Sequence, residues 1–125
     1  MHDKRAPTAV IADDERLMRE QIVARLKEAW PELLIVGEAG NGREAVAMVR
    51  SREPDIVFLD ISMPGMGGIG FLNEKAQMKR VAKVPVMVFT ARANMEKFFK
   101  DVDIAGFVAK PCDPAELLRE IRRIL

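Results

Sequence analysis

Short runs of consecutive apolar residues alternate with longer stretches in which apolar residues recur at helical spacing, and the alternation continues along the whole chain. The runs are Thr8–Ala12, Leu33–Val36, Asp55–Asp60, Pro85–Thr90 and Ala105–Lys110. Each has the length of a strand and carries Ile, Val or Phe. After the first run, Met18, Ile22, Leu26 and Ala29 trace one face of a helix over Glu15–Trp30. The acids at its start suit the positive end of a helix dipole, and Pro31 stops it. Asn41 followed by Glu44 reads as an N-cap and its N3 partner, for a second helix with Ala45, Met48 and Val49 turned inward. A third helix is predicted over Gly68–Arg80, and Asn94 caps a short fourth one carrying Phe98 and Phe99. Asp113, Pro114 and Glu116 form a cap, a first-position proline and an N3 acid. They open a last helix that buries Leu117, Ile121 and Ile124.

The strands are apolar throughout instead of alternating with polar residues, so each is expected to be buried on both faces. With helices between them, this predicts a parallel sheet covered on both sides, a doubly wound α/β domain of five strands and five helices. At 125 residues the chain has the length of one ordinary domain, and one domain is expected over residues 1–125. Composition mainly removes alternatives. Lys plus Arg number 20 and Asp plus Glu 19, so no basic surface argues for nucleic acid or an anionic membrane. No apolar run reaches the length of a membrane span, and the first residues lack a leader-like apolar segment. One cysteine, Cys112, excludes an internal disulfide and fits a reducing, cytoplasmic setting. With one histidine, His2, it also excludes a Cys/His zinc site or a Cys–His nucleophile.

The polar residues that matter stand at the strand ends. The first strand runs into Asp13 and Asp14, the third ends at Asp60, the fourth at Thr90 and the fifth at Lys110. In a parallel sheet these ends share one edge, the edge where open α/β sheets bind ligands. Three carboxylates at close range repel one another, and a hard divalent cation such as Mg²⁺ removes that conflict. A carboxylate is also a nucleophile toward phosphorus, while a lysine and a threonine can hold phosphoryl oxygens. Phosphoryl transfer asks mainly for positioning and charge neutralisation, which this set supplies.

These residues, read with Met63, Pro64 and Gly65 after Asp60, Ala91 after Thr90 and Pro111 after Lys110, resemble the receiver domains of bacterial two-component response regulators over essentially the whole chain. The resemblance implies a strand order of 2-1-3-4-5. It implies that Asp60 is the phosphoacceptor, taking phosphoryl from a sensor histidine kinase or a phosphotransfer protein, without being a turnover enzyme. It implies a Mg²⁺ site made by Asp14 directly, Asp13 largely through water, Asp60, and the backbone carbonyl of Ser62. Thr90 and Lys110 would hold the phosphoryl group. Thr90 would also act as a switch with Phe107, although Phe107 also reads as a fixed core residue. The surface of the fourth helix, fifth strand and last helix would report the change to a partner, an effector domain or a second copy of the chain. The short interval from Thr90 to Lys110, with the Trp30–Pro31 helix ending, resembles the LytTR-type subgroup of regulators. Gly67 departs from the Gly-Met-Asp-Gly loop common in such domains and removes a capping side chain.

Other readings fare worse. Gly37, Gly40 and Gly42 lack dinucleotide-binding spacing and follow the second strand instead of the first. No phosphate-binding loop of the G-x-x-x-x-G-K-[ST] type occurs, and Asp13-Asp14-Glu15 lacks the Asp-x-Asp spacing of haloacid-dehalogenase-type phosphatases. The reading from a different class that survives is a receiver-like interaction module that is never phosphorylated.

Overall fold

The computed structural model describes residues 6–60, 67–90, 104–109 and 114–124, with residues 90, 107–109, 114 and 124 described by their backbone alone. In chain order the elements are β1 (Thr8–Ala12), α1 (Arg16–Ala29), β2 (Leu34–Ala39), α2 (Gly42–Arg52), β3 (Ile56–Asp60), α3 (Gly67–Ala76), β4 (Val86–Thr90), β5 (Gly106–Ala109) and α4 (Pro114–Ile124). The strands form a single five-stranded sheet in the order β2-β1-β3-β4-β5, with every neighbouring pair parallel. The parallel sheet is the one expected from the apolar runs, and its order is the one the resemblance implies. The short helix expected after Asn94, with Phe98 and Phe99, lies outside the described residues.

Successive side chains of a strand leave the sheet on opposite faces, and here both sets are apolar. On one side Ala9, Ile11, Ile56, Phe58, Met87 and Phe89 pack with Ile22 and Leu26 of α1 and Leu117 and Ile121 of α4. On the other, Val10, Ala12, Val57, Leu59, Val86 and Val88 pack with Ala45, Val46 and Val49 of α2 and Phe71 and Leu72 of α3. Phe58 and Phe89 meet across β3 and β4 with ring centroids 5.8 Å apart and planes tilted by 55°. Burying each of the large side chains stabilises the fold by about 1.5–3 kcal/mol, so both faces hold the sheet between helix pairs. Trp30 packs beside the first of these clusters, as expected of a residue at a helix end.

The helix boundaries carry the differences from expectation. Asn41 caps α2 as predicted, its side-chain oxygen accepting from Glu44 N at 2.9 Å. Glu44 reaches back to Gly40 N at 2.8 Å, one residue beyond the usual partner of a capping box. Helix α1 begins after Glu15 and has no acid within its first turn, and Glu15 makes no side-chain cap. β2 runs on past Val36 through Gly37, Glu38 and Ala39, because β1 offers a ladder that far: Ala12 pairs with Ala39. The register slips between Ala9 and Val10, leaving Val36 as the extra residue of a bulge. Helix α3 ends at Ala76, short of the expected Arg80, and the chain continues as turns with Met78 N on Lys75 O and Val81 N on Met78 O. Lys75, itself buried, donates from Nζ to Ala82 O at 2.8 Å and ties those turns to the helix. Gly67, at the start of α3, has φ +71°, a conformation that a side chain disfavours. The departure from the usual loop is therefore used: at Gly67 the chain needs glycine's freedom.

Candidate functional site

The site forms where β1 and β3 end side by side. Ala12 pairs with Leu59, so the next residues along, Asp13 and Asp60, leave the sheet at the same level. One carboxylate oxygen from each of Asp13, Asp14 and Asp60 lies within 4.8 Å of the others. Asp13 is 1% exposed and Asp60 6%, whereas Asp14 is exposed. Two carboxylates are thus held in a nearly dry edge and a third faces water.

Asp13 is fixed from several directions. Its N–H donates to Ala39 O at 2.9 Å, extending the β1–β2 ladder by one residue. Its Oδ1 accepts from Glu15 N at 3.0 Å, which turns the chain into α1. Its carbonyl oxygen accepts from Arg19 Nη1 at 2.6 Å. The guanidinium of Arg19 in turn stands beside Glu38 of β2, with Nε 3.4 Å from Oε1.

Hard oxygen donors with three formal negative charges at this separation suit a Mg²⁺ ion, which takes one or two carboxylates and fills its other positions with water and phosphate oxygens. Burial of two of the three makes the fit stronger, since like charges out of water are costly without a cation. Asp13, Asp14 and Asp60 are the residues that would hold it. Of the remaining expected site residues, Thr90 ends β4 and its backbone pairs with Ala109 of β5. Lys110 and Ser62 lie outside the described residues. Phe107 is placed by its backbone, opposite Val88, and the side chains of Thr90 and Phe107 are likewise outside what is described.

The profile of the response regulator receiver domain matches residues 9–122. The chain belongs to this family. It is 46% identical over 82 residues to an uncharacterized response regulatory protein of Vibrio cholerae, covering 66% of this chain and 30% of that one. It is 34% identical over 112 residues to the transcriptional regulatory protein PdtaR of Mycobacterium tuberculosis, covering 90% of this chain and 53% of that one. The chain therefore spans about half or less of the length of these curated relatives. Its fold is similar to the chemotaxis protein CheY4 of Vibrio cholerae, with a TM-score of 0.84 at 26% identity over 95% of this chain and 98% of that one. Likeness to a PdtaR-type regulator and a chemotaxis protein does not support the LytTR-type subgroup expected from the Thr90–Lys110 interval and the Trp30–Pro31 helix ending.

The family membership makes this a two-component signalling module, and the acidic pocket at its sheet edge has the composition of a receiver's Mg²⁺ site. No helix among the described residues is long and apolar enough to cross a membrane. Arg19 is the residue that sequence reasoning missed. A signal was present: a cation in the first turn of a helix opposes the helix dipole, and Arg19 adjoins the inward stripe of Met18 and Ile22.

Proposed function

We propose that this domain is a phosphorylation-dependent signalling switch whose phosphoacceptor is Asp60. The observation that carries the proposal is the meeting of the Asp13, Asp14 and Asp60 carboxylates within 4.8 Å at the end of β1 and β3. An oxygen of Asp60 attacks the phosphorus of a phosphohistidine on a sensor kinase or phosphotransfer protein. The P–N bond breaks, the imidazole leaves, and an acyl phosphate forms on Asp60. Mg²⁺, when bound, neutralises the phosphoryl oxygens and the carboxylates together. Asp14, Asp13 and Asp60, with the backbone carbonyl of Ser62, are the groups that would hold that ion. The Lys110 ammonium and the Thr90 hydroxyl hold the remaining phosphoryl oxygens.

Thr90 and Phe107 lie on paired strands, two residues apart along the register, which supports a coupling between phosphoryl contact and β5. The output surface is the segment around Asn94 with β5 and α4, acting on a partner protein, on an effector domain, or on a second copy of this domain. The unit is residues 1–125 and its setting the cytoplasm.

The test is intact-mass spectrometry after incubation with acetyl phosphate, with and without Mg²⁺, on the parent and on Asp60→Asn. A Mg²⁺-dependent gain of one phosphoryl group, absent in the variant, is the expected result. Phosphoryl gain retained by Asp60→Asn would overturn the site assignment. No gain and no binding of fluoroberyllate would favour the unphosphorylated interaction module instead.

A further inference from the structure

Arg19 is five-sixths buried, its side chain 17% exposed, at a place where a helix dipole disfavours a cation. Its guanidinium spends its donors on two elements. Nη1 makes the short bond to the Asp13 carbonyl, and Nε faces Glu38 at 3.4 Å. That second approach is an ion pair without hydrogen-bond geometry: Nε is buried and has no hydrogen-bond partner among the described residues. The well-formed bond is the one to Asp13, so the network is built around that carbonyl.

The carbonyl matters because of the peptide it belongs to. It joins Asp13 to Asp14, two of the three carboxylates of the site. β1 has ended there, and the first turn of α1 accepts at Glu15 O, from Arg19 N at 3.0 Å. A buried carbonyl at such a junction needs a donor. With Asp13 N–H on Ala39 O and Asp13 Oδ1 on Glu15 N, the Arg19 bond completes the set that orients this peptide. Rotation of that plane would swing Asp14 relative to Asp13.

We propose that Arg19 is a positioning residue for the metal site: it holds the Asp13–Asp14 peptide so that both carboxylates face one ion. The inference rests on the metal-site reading above. It acts through the hydrogen bond and not through charge, because Glu38 beside the guanidinium offsets its field at the carboxylates. Removing the positive charge alone would draw a cation more strongly, so the sign of the effect separates the two causes.

The experiment is titration calorimetry of Mg²⁺ into the parent, into Arg19→Met with Glu38→Gln, which keeps the net charge, and into Arg19→Lys. Melting temperatures in EDTA accompany each. The double variant is expected to bind Mg²⁺ roughly tenfold or more weakly, the usual scale for losing a group that orients a metal ligand. Arg19→Lys keeps one donor and the charge and is expected to fall between the two. A folded double variant that binds as tightly as the parent would overturn the inference, even with a lowered melting temperature, because that is the signature of an architectural brace. A Lys variant no tighter than the double variant would overturn the hydrogen bond as the cause. Absence of Mg²⁺ binding by the parent would overturn the metal-site reading itself, and this inference with it.

Discussion

Thr8 and Asp55 clasp the sheet at the edge opposite the carboxylates. Thr8 N donates to Asp55 Oδ2 at 2.7 Å and Thr8 Oγ1 to the same oxygen at 3.2 Å, while Asp55 N donates to Thr8 O at 2.9 Å. Asp55 and Asp60 therefore flank one strand with opposite duties. Asp55, just before β3, pins the strand to β1, and Asp60 ends β3 in the acidic cluster. Asp55→Ala is expected to cost about 1–2 kcal/mol, the scale of a carboxylate's bonds to one amide and one hydroxyl at an exposed position. Mg²⁺-dependent phosphoryl uptake is expected to survive it. Urea unfolding together with the acetyl phosphate mass assay checks both halves. Loss of uptake by a folded Asp55→Ala would show that the two ends of β3 are not independent.

Asp14 is the exposed member of the carboxylate set, so its removal tests the metal without disturbing the core. Mg²⁺ at ten times its Kd adds about 1.4 kcal/mol to the stability of the folded state. For a domain of this size that is a rise in melting temperature of roughly 5 °C. Asp14→Asn is expected to melt no lower than the parent in EDTA and to lose most of the Mg²⁺-dependent rise. Scanning fluorimetry over a Mg²⁺ series measures it. An undiminished rise would remove Asp14 from the site.

Much of the fold was legible because both faces of the sheet are apolar. A run such as Val57–Leu59 reads as a buried strand once Pro54 before it and the Pro64-Gly65 turn signal after it bound the run. The carboxylate cluster was legible for the same reason, since parallel strands must end on one edge. What escaped depended on pairing between distant residues. Gly37 and Glu38 are poor strand formers, yet the ladder to β1 holds them extended, and Met48 packs against Gly37 so closely that a Cβ there would stand 2.9 Å from Met48 Sδ. Helix α3 ends early, and in the turns that follow Met78 packs at the margin of the core, Val81 is fully buried and Ala82 O accepts from the buried Lys75. Arg19 escaped because a cation in an amphipathic helix normally faces water, and its partners Asp13 and Glu38 belong to two different strand ends.

The Asn41 cap is local and can be tested by itself. Its oxygen satisfies Glu44 N, one of the amides that the first turn of α2 leaves without a partner. Asn41→Ala is expected to lower stability by about 1 kcal/mol. Asn41→Asp, which keeps an acceptor at the positive end of the helix, is expected to stay within about 0.5 kcal/mol of the parent. Denaturant midpoints at constant slope give the comparison. Equal losses in both variants would mean that the amide group, and not the cap, matters at this position.

Glu53 closes α2 in a conformation that its side chain resists. Its φ is 44° and ψ 61°, the left-handed region, while its N–H still bonds Val49 O at 3.0 Å. For a residue with a Cβ that region costs about 1–2 kcal/mol, and glycine is the usual occupant of a helix end so shaped. The compensating contact is slight: Arg80 Nη1 approaches Glu53 Oε2 at 3.7 Å with both side chains well exposed, a kind of pair worth little in water. Glycine gives back part of the gain through its freer unfolded chain. Glu53→Gly is therefore expected to raise stability by about 0.5 kcal/mol over the parent and by about 1 kcal/mol over Glu53→Ala, which keeps the Cβ and loses the ion pair. Urea unfolding of the three proteins decides it. Alanine as stable as glycine would show that the left-handed turn carries no strain, and the ion pair with Arg80 would then have to explain why glutamate stands there.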